Sequence, residues 1–269
     1  MTTSVIIPVL NERQALPRLI DSLRRCDGVS QSVVSQSVVS QSVVSQSVIS
    51  QSVISQSVIS QSVISQSVIS QIVVSDGGSS DGTQEWCRSQ PDVVLINSPR
   101  GKGPQLNAGA SAASGDLLFF LHADCVLGAE SLAAMRATME GQCFAGGAFH
   151  IRFIEREPRS LRLVAAGINL RTSVTRTATG DQGIFVRRDI FRKIGGAPDW
   201  PLFEDVELVR RIKTSGRFAV IPKPLMISGR RYIEHGVMRT ALLIYLLRAG
   251  YWMGISPHRL KRWFADVRR

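Results

Sequence analysis

The sequence predicts an α/β fold, a mostly parallel sheet flanked by helices and interrupted by one low-complexity insertion. Three observations lead there. Short apolar runs at Val5–Val9, Ile72–Val74 and Leu117–Leu121 have the length of buried strands, and each ends in polar or turn-forming residues. Leu16, Leu19, Ile20 and Leu23 fall at helical spacing between the first two runs. Strand and helix patterns then alternate through the first half, as the crossovers of a parallel sheet require.

The elements follow in order. Behind Val5–Val9 lie Asn11 and Glu12 in a loop, then a helix over Ala15–Cys26. The second strand runs into DGGSSDGT, where Gly77 and Gly78 allow close backbone approach to a ligand and Asp76 offers a fixed acceptor. The same residues also suit an ordinary turn. Val93–Ile96 is the third strand, followed by the glycine-rich loop Pro99–Pro104 and a helix of small residues through Ala113. Leu117–Leu121 delivers His122 and Asp124 to its end, and in open α/β sheets ligands bind beyond such carboxyl ends. The second half is less regular, with strands at Gly146–Phe153 and Gly183–Val186 and helices at Arg159–Leu170 and Asp205–Thr214. It is expected to cover the sheet edge.

Between Ser30 and Ile69 one five-residue unit recurs eight times, as SQSVV three times and SQSVI five times, before the strand begins SQIVV. It reads as a tandem expansion of the strand's own first residues. In a strand an odd period flips each valine to the other face, and in a helix the apolar pairs walk around the cylinder, so neither form keeps one buried face. Disorder or irregular β structure is expected, with no catalytic role. Without these 40 residues the chain has 229, a plausible single domain, and the first helix and second strand are joined by a short connection. The expected organisation is a domain over residues 1–229 carrying the insertion 30–69, then a basic amphipathic C-terminal helical segment over 230–269, centred on Val237–Met253.

The net charge of +11 is concentrated at the end: from Arg210 onward fourteen Lys or Arg face only Glu234 and Asp266. Such a patch attracts anionic lipid surfaces, nucleic acid or anionic substrates. No run reaches the roughly 18 to 20 apolar residues that span a bilayer, and Ala241–Leu247 is interrupted by Arg248. No cleavable leader is visible at the start, and Cys26, Cys87, Cys125 and Cys143 lack metal or redox spacing, so reduced thiols in a cytoplasmic protein are expected.

Four segments carry a family resemblance: SVIIPVLNE at Ser4–Glu12, IVVSDGGSSDGT at Ile72–Thr83, DLLFFLHAD at Asp116–Asp124 and LFEDVELVRR at Leu202–Arg211. In this order they resemble the family 2 glycosyltransferases, together with SPRGKGPQLNAGASAASGD and TRTATGDQGIFVRRDIF. The resemblance implies a GT-A fold, with a Rossmann-like mostly parallel sheet, and an inverting transfer of one sugar from a nucleotide-diphosphate donor to a hydroxyl acceptor, lipid-linked or small. It implies that Pro8, Asn11 and Glu12 line the nucleoside pocket, that Asp76 bonds the base beside Gly77, and that Asp181 and Gln182 face the acceptor. Arg100 and Lys102 suit phosphate or base contacts, and Asn107 would contact the donor or act as an ordinary helical amide. Asp124 matches the last aspartate of the family's metal-binding motif, whereas His122 replaces its first. A divalent Mn2+ or Mg2+ is implied there; if the imidazole ligates, Mn2+ is favoured, and otherwise His122 hydrogen-bonds at the strand end. Asp205 is the candidate base with Glu204 beside it, although aspartate at a helix start also serves as a cap.

The family's Gln-x-x-Arg-Trp motif is absent, and Arg230, Arg231 and Tyr232 match it only loosely. A sugar-phosphate nucleotidyltransferase would need a glycine-rich phosphate loop after the first strand, which Pro8–Arg13 does not supply. The non-enzyme alternative is a degenerate transferase fold whose basic tail binds nucleic acid or a membrane surface. Through Trp252, Arg259, Lys261, Arg262 and Trp263 the expected partner is an anionic membrane, at its inner face, rather than nucleic acid.

Overall fold

The structure is a computed structural model and describes residues 1–27, 68–141, 144–154 and 158–266. Most of the insertion, and Cys143, lie outside the described residues. Seven strands form one sheet: β1 (Thr3–Val9), β2 (Ile69–Asp76), β3 (Val93–Asn97), β4 (Leu117–Phe120), β5 (Phe144–Phe153), β6 (Ile184–Arg187) and β7 (Arg217–Ile227). The helices are α1 (16–27), α2 (Thr83–Arg88), α3 (Lys102–Ala112), α4 (Ala129–Gly141), α5 (Arg159–Thr175), α6 (Arg188–Lys193), α7 (Glu204–Ser215), α8 (Arg230–His235), α9 (Val237–Trp252) and α10 (Pro257–Asp266).

The sheet order is β3-β2-β1-β4-β6-β5-β7. All neighbours run parallel except β6, which is antiparallel to both β4 and β5. The chain winds from β1 outward to β3, then crosses back to place β4 on the other flank of β1. That reversal opens a crevice at the carboxyl ends of β1 and β4.

Strand periodicity splits the core between the two sheet faces. Val5, Ile7 and Val9 pack with Leu16, Leu19, Ile20 and Leu23 of α1, while Ile6 points the other way into the cluster holding Leu106 and Ala110 of α3. A Cβ on Gly109 would stand 2.3 Å from the Ile6 side chain, so only glycine lets α3 lie this close to β1. Phe119, Phe149 and Phe185 pack with tilted and edge contacts at centroid distances of 5.5 to 6.4 Å, joining the parallel half to the second half.

The last repeat unit is not wholly outside the fold. Val68 and Ile69 are buried, Ile69 begins β2, and both backbone N–H groups donate to Asp27 at the end of α1. The C-terminal segment also differs from a single amphipathic helix. It comprises α8, α9 and α10, and Leu247 and Leu260 pack with Phe203 and Val206 at the start of α7. Apolar residues occupy the outer face of α9 as well, where Met238, Leu242 and Leu246 are exposed. Among the described residues no helix is long and apolar enough to cross a membrane.

Candidate active site

The loops after β1 and β2 are stitched together. Asn11, in the left-handed region at φ 59°, receives the Ser80 N–H on its amide oxygen at 2.9 Å and donates its own N–H to Ser79 Oγ at 2.8 Å. The Glu12 and Arg13 N–H groups donate to Thr83 Oγ1 and Asp81 Oδ2 at 3.1 and 3.0 Å. Asp76 is buried and accepts from the Gly78 and Ser79 N–H groups and from Gln84 Nε2, at 2.9, 3.0 and 2.6 Å. Burial alone would raise its pKa, but these donors outweigh it and hold the carboxylate below its usual range. The group is therefore a charged pin for the Gly77–Ser79 loop.

Gln105 was not singled out by the sequence. From α3 its amide donates to the Val9 carbonyl at 2.7 Å and the Ser75 carbonyl at 2.9 Å, fixing the spacing of the β1 and β2 ends. No pattern in the sequence marks it, since an interior amide becomes visible only through its partners.

Ile6 pairs with Phe120, so His122 leaves the sheet level with Pro8. Both line a small cavity with Lys102, Leu106, Gly180, Glu204 and Asp205, with room for about one water. A Cβ on Gly180 would lie 2.8 Å from His122 Nε2 and 3.3 Å from Asp205 Oδ2, so both side chains lie against Gly180. Burial, aided by the Lys102 and Arg231 charges, keeps His122 well below 6.5, which makes the ring neutral. Its Nε2 lies 3.4 Å from Lys102 Nζ, placing an ammonium donor against that ring nitrogen.

Phe203 holds the N-cap position at φ 64°; Asp205 Oδ1 accepts the Val206 N–H in the first turn of α7 at 2.7 Å, and its Oδ2 accepts the Gly180 N–H across the cleft at 2.6 Å. Glu204 is buried; desolvation, then the Asp205 charge, push its pKa to about 7 against the opposing pull of Lys102.

Asp124 is open to solvent yet surrounded by protein. Desolvation leads the causes that raise its pKa, Asp181 adds to it, and Arg231 and Lys102 oppose it. Glu12 is raised by burial and then by Asp124, and is likewise opposed by Lys102 and Arg231. Glu12, Asp124, Lys102, Arg231 and His122 thus share one electrostatic neighbourhood. Arg231 is brought there by α8, whose Tyr232 packs edge-on against Phe153 at 5.4 Å. Arg100 lies exposed on the loop before α3.

Two other candidates are occupied by framework contacts. Asn107 exchanges two hydrogen bonds of 2.8 Å with the Ala197 backbone, so it serves as the helical amide tying α3 to the loop before α7. Gln182 is fully buried; its Nε2 donates to the Phe149 carbonyl at 3.0 Å and its Oε1 accepts from Arg171 at 3.1 Å. Asp181 beside it is half-exposed and bonded to Thr179. Cys26, Cys87 and Cys125 are buried thiols; burial raises the first two to about 11 and Cys125 well above 9.0, which removes thiolate chemistry near neutrality.

The family model described as glycosyl transferase family 2 matches residues 56–195. The chain belongs to this family. Among solved structures, the chain resembles TarS 1-349 from S. aureus, with TM-score 0.56 and 16% identity over 90% of this chain and 64% of that one. It also resembles the mannosyltransferase PcManGT from Pyrobaculum calidifontis, solved with GDP-Man and Mn2+, with TM-score 0.54 and 18% identity over 91% of this chain and 61% of that one. A third is glucosyl-3-phosphoglycerate synthase from Mycobacterium tuberculosis, solved with Mn2+, uridine-diphosphate and phosphoglyceric acid, with TM-score 0.53 and 18% identity over 93% and 78% of the two chains. The chain therefore spans less than two thirds of the TarS and PcManGT chains. These likenesses are of fold, and the fold is GT-A. No curated protein matches the chain significantly.

Proposed function

We propose that this glycosyltransferase moves one sugar from a nucleoside-diphosphate donor to an acceptor hydroxyl with inversion at the anomeric carbon. The observation carrying the proposal is the hydrogen bond from the Gly180 N–H to Asp205, beside the cavity that both line together with Pro8, Lys102 and His122. The nucleoside would lie against Pro8, Asn11 and Glu12, beside the loop pinned by Asp76. Lys102, Arg231 and the exposed Arg100 supply positive charge for the diphosphate. Asp205 takes the proton of the acceptor hydroxyl as its oxygen bonds to the anomeric carbon and the bond to the diphosphate oxygen breaks. A single displacement of this kind inverts the centre.

Among the described residues no group of three or more His, Cys, Asp or Glu side chains could hold a metal. Asp124, whose carboxylate is open, fits the one-carboxylate mode in which donor phosphates and water complete the shell. A divalent ion there would supply charge against the departing diphosphate. His122, facing Lys102, acts beside that ion rather than on it, which removes the reason for an Mn2+ preference. Melting midpoints with a panel of nucleoside diphosphates, with and without Mn2+ or Mg2+, test the reading. One base should raise the midpoint, further with metal, and Asp124→Ala should lose only the metal-dependent part. A panel in which no nucleotide moves the midpoint contradicts it.

A membrane position is favoured by one surface. On the outer face of α9, Met238, Leu242, Tyr245, Leu246 and Trp252 form an exposed stripe, and Tyr245 meets α5 at Gly167, beside exposed Leu163, Leu170 and Val174. Exposed Arg239, Arg259, Lys261 and Arg262 lie on the same C-terminal segment. We commit to an anionic bilayer as occupant, because this charge repels a second copy and complements acidic headgroups. An oligonucleotide shift in place of vesicle binding would reverse that choice.

A further inference from the structure

The start of α7 is held in a conformation that its own sequence does not favour. Phe203, two residues before Asp205, has φ 64° and ψ 21°, a left-handed setting that a residue with a bulky side chain rarely adopts. Such a setting persists only where surrounding contacts impose it, and it gathers at functional sites. The contacts come from both ends of the loop that leads into α7. At one end the Ala197 backbone is bonded to Asn107 of α3, and a Cβ on Gly103 would stand 2.1 Å from the Pro198 carbonyl oxygen. At the other end Phe203 is buried against α9 and α10, with Leu247, Leu260 and the ring of Tyr251 at a centroid distance of 5.2 Å.

Tyr251 makes a second contact on the far side of the base. Its hydroxyl donates to Glu207 Oε2 at 3.4 Å, and Glu207 is a fixed acceptor, 4% exposed and bonded to Arg210 and Arg211 at 2.6 to 2.9 Å. One side chain of α9 thus touches the residues two before and two after Asp205. Trp200 packs edge-on against the same ring at 6.4 Å, backing it from the loop. Tyr251 does not line the small cavity beside Asp205, so its influence on the base runs through the α7 backbone.

We infer that Tyr251 is a positioning residue: by bracketing Asp205 it holds the left-handed turn at Phe203 and sets the carboxylate against the Gly180 N–H. The C-terminal helices are then part of the catalytic unit and not an appended tail. The word catalytic rests on the transferase reading, whereas the placement of Asp205 can be measured without turnover. The placement matters because a base displaced by about 1 Å can lose on the order of a hundredfold in rate.

The test reads the Gly180 N–H, which donates to Asp205 Oδ2, by hydrogen exchange in the full chain labelled with 15N-glycine. Tyr251→Leu keeps apolar bulk but loses the ring and the hydroxyl. In that variant the Gly180 exchange rate should rise by about tenfold or more beyond any rise at Gly146 and Gly147, which lie within β5 and report general stability. Tyr251→Phe keeps the ring on Phe203 and should return the Gly180 rate to within about threefold of the wild type. Release of UDP from UDP-N-acetylglucosamine and of GDP from GDP-mannose, with water as acceptor, forms the second arm. There Tyr251→Leu should lower kcat by about ten- to a hundredfold and leave the donor KM within about twofold. Gly180 exchange equal to the wild type in Tyr251→Leu, or rising no more than at the two β5 glycines, overturns the proposal. Absence of release from both donors by the wild type would count against the transferase reading instead, and the exchange rates would still decide what Tyr251 holds.

Discussion

Asp205 Oδ2 accepts the Gly180 backbone N–H at 2.6 Å, joining the first turn of α7 to the turn that carries Asp181 and Gln182. The other oxygen, Oδ1, accepts the Val206 N–H at 2.7 Å, so the carboxylate is held between its own helix start and the Gly180 turn. Its neighbour Glu204 is less solvated, and burial together with the Asp205 charge raises the Glu204 pKa.

Glu204 has a folded pKa of about 7 against 4.5 in a solvated chain. A raised acid holds its proton more tightly when folded, so stability falls as pH rises from 4.5 to 7 and stays reduced above. Glu204→Gln should therefore be more stable than the wild type at pH 8 by about 3 kcal/mol at most, with the gap closing toward pH 5. Denaturant midpoints across this range check it; a constant gap removes the assigned titration.

Gln105 bridges Val9 and Ser75. Gln105→Ala removes the bonds to the Val9 carbonyl, which keeps the Gly77 N–H, and to the Ser75 carbonyl, and should cost about 1–3 kcal/mol. Nucleotide affinity should weaken with it, because the β1 and β2 loops lose their common clamp. Calorimetry on the variant reads both effects, and an unchanged melting midpoint would disprove the clamp.

The fold should not need the repeat. Asp27 binds Val68 and Ile69 directly, so the ends of the 40-residue connection at 28–67 are already adjacent. Deleting Ser30–Ile64 leaves one of the eight units and should preserve folding, with a gain of about 2 kcal/mol or less from the shorter closure. Failure of the shortened chain to melt cooperatively would show that the repeat contributes to the core.

The apolar stripe makes a separate prediction. Leu242→Asp with Leu246→Asp changes two exposed side chains, so the midpoint should hold while retention on phosphatidylglycerol vesicles falls by about tenfold or more. Equal retention of variant and wild type would place the contact elsewhere.

Much of this was legible in the sequence, for identifiable reasons. The strands β1, β2 and β4 are buried on both faces and bounded by turn residues, and α1 has a single clean stripe, so local pattern and tertiary role coincide. The strand β7 was hidden by Pro222 and Pro224; it tolerates them because it is an edge strand with a register shift where His150 meets Pro224. Gln182 and Asn107 looked like ligand contacts because a polar side chain in a glycine-rich segment does not disclose its partners. Arg248 did leave a signal, a lone charge within ALLIYLLRAG, but it read as the end of an apolar run rather than as a buried cation.

The most direct measurement is the release of nucleoside diphosphate from the sugar donor that the melting panel identifies, compared between the wild type and Asp205→Asn. Turnover should drop by about 10²- to 10⁴-fold while the donor still raises the variant's melting midpoint as in the wild type. Wild-type turnover in Asp205→Asn would contradict the assignment of Asp205 as the base.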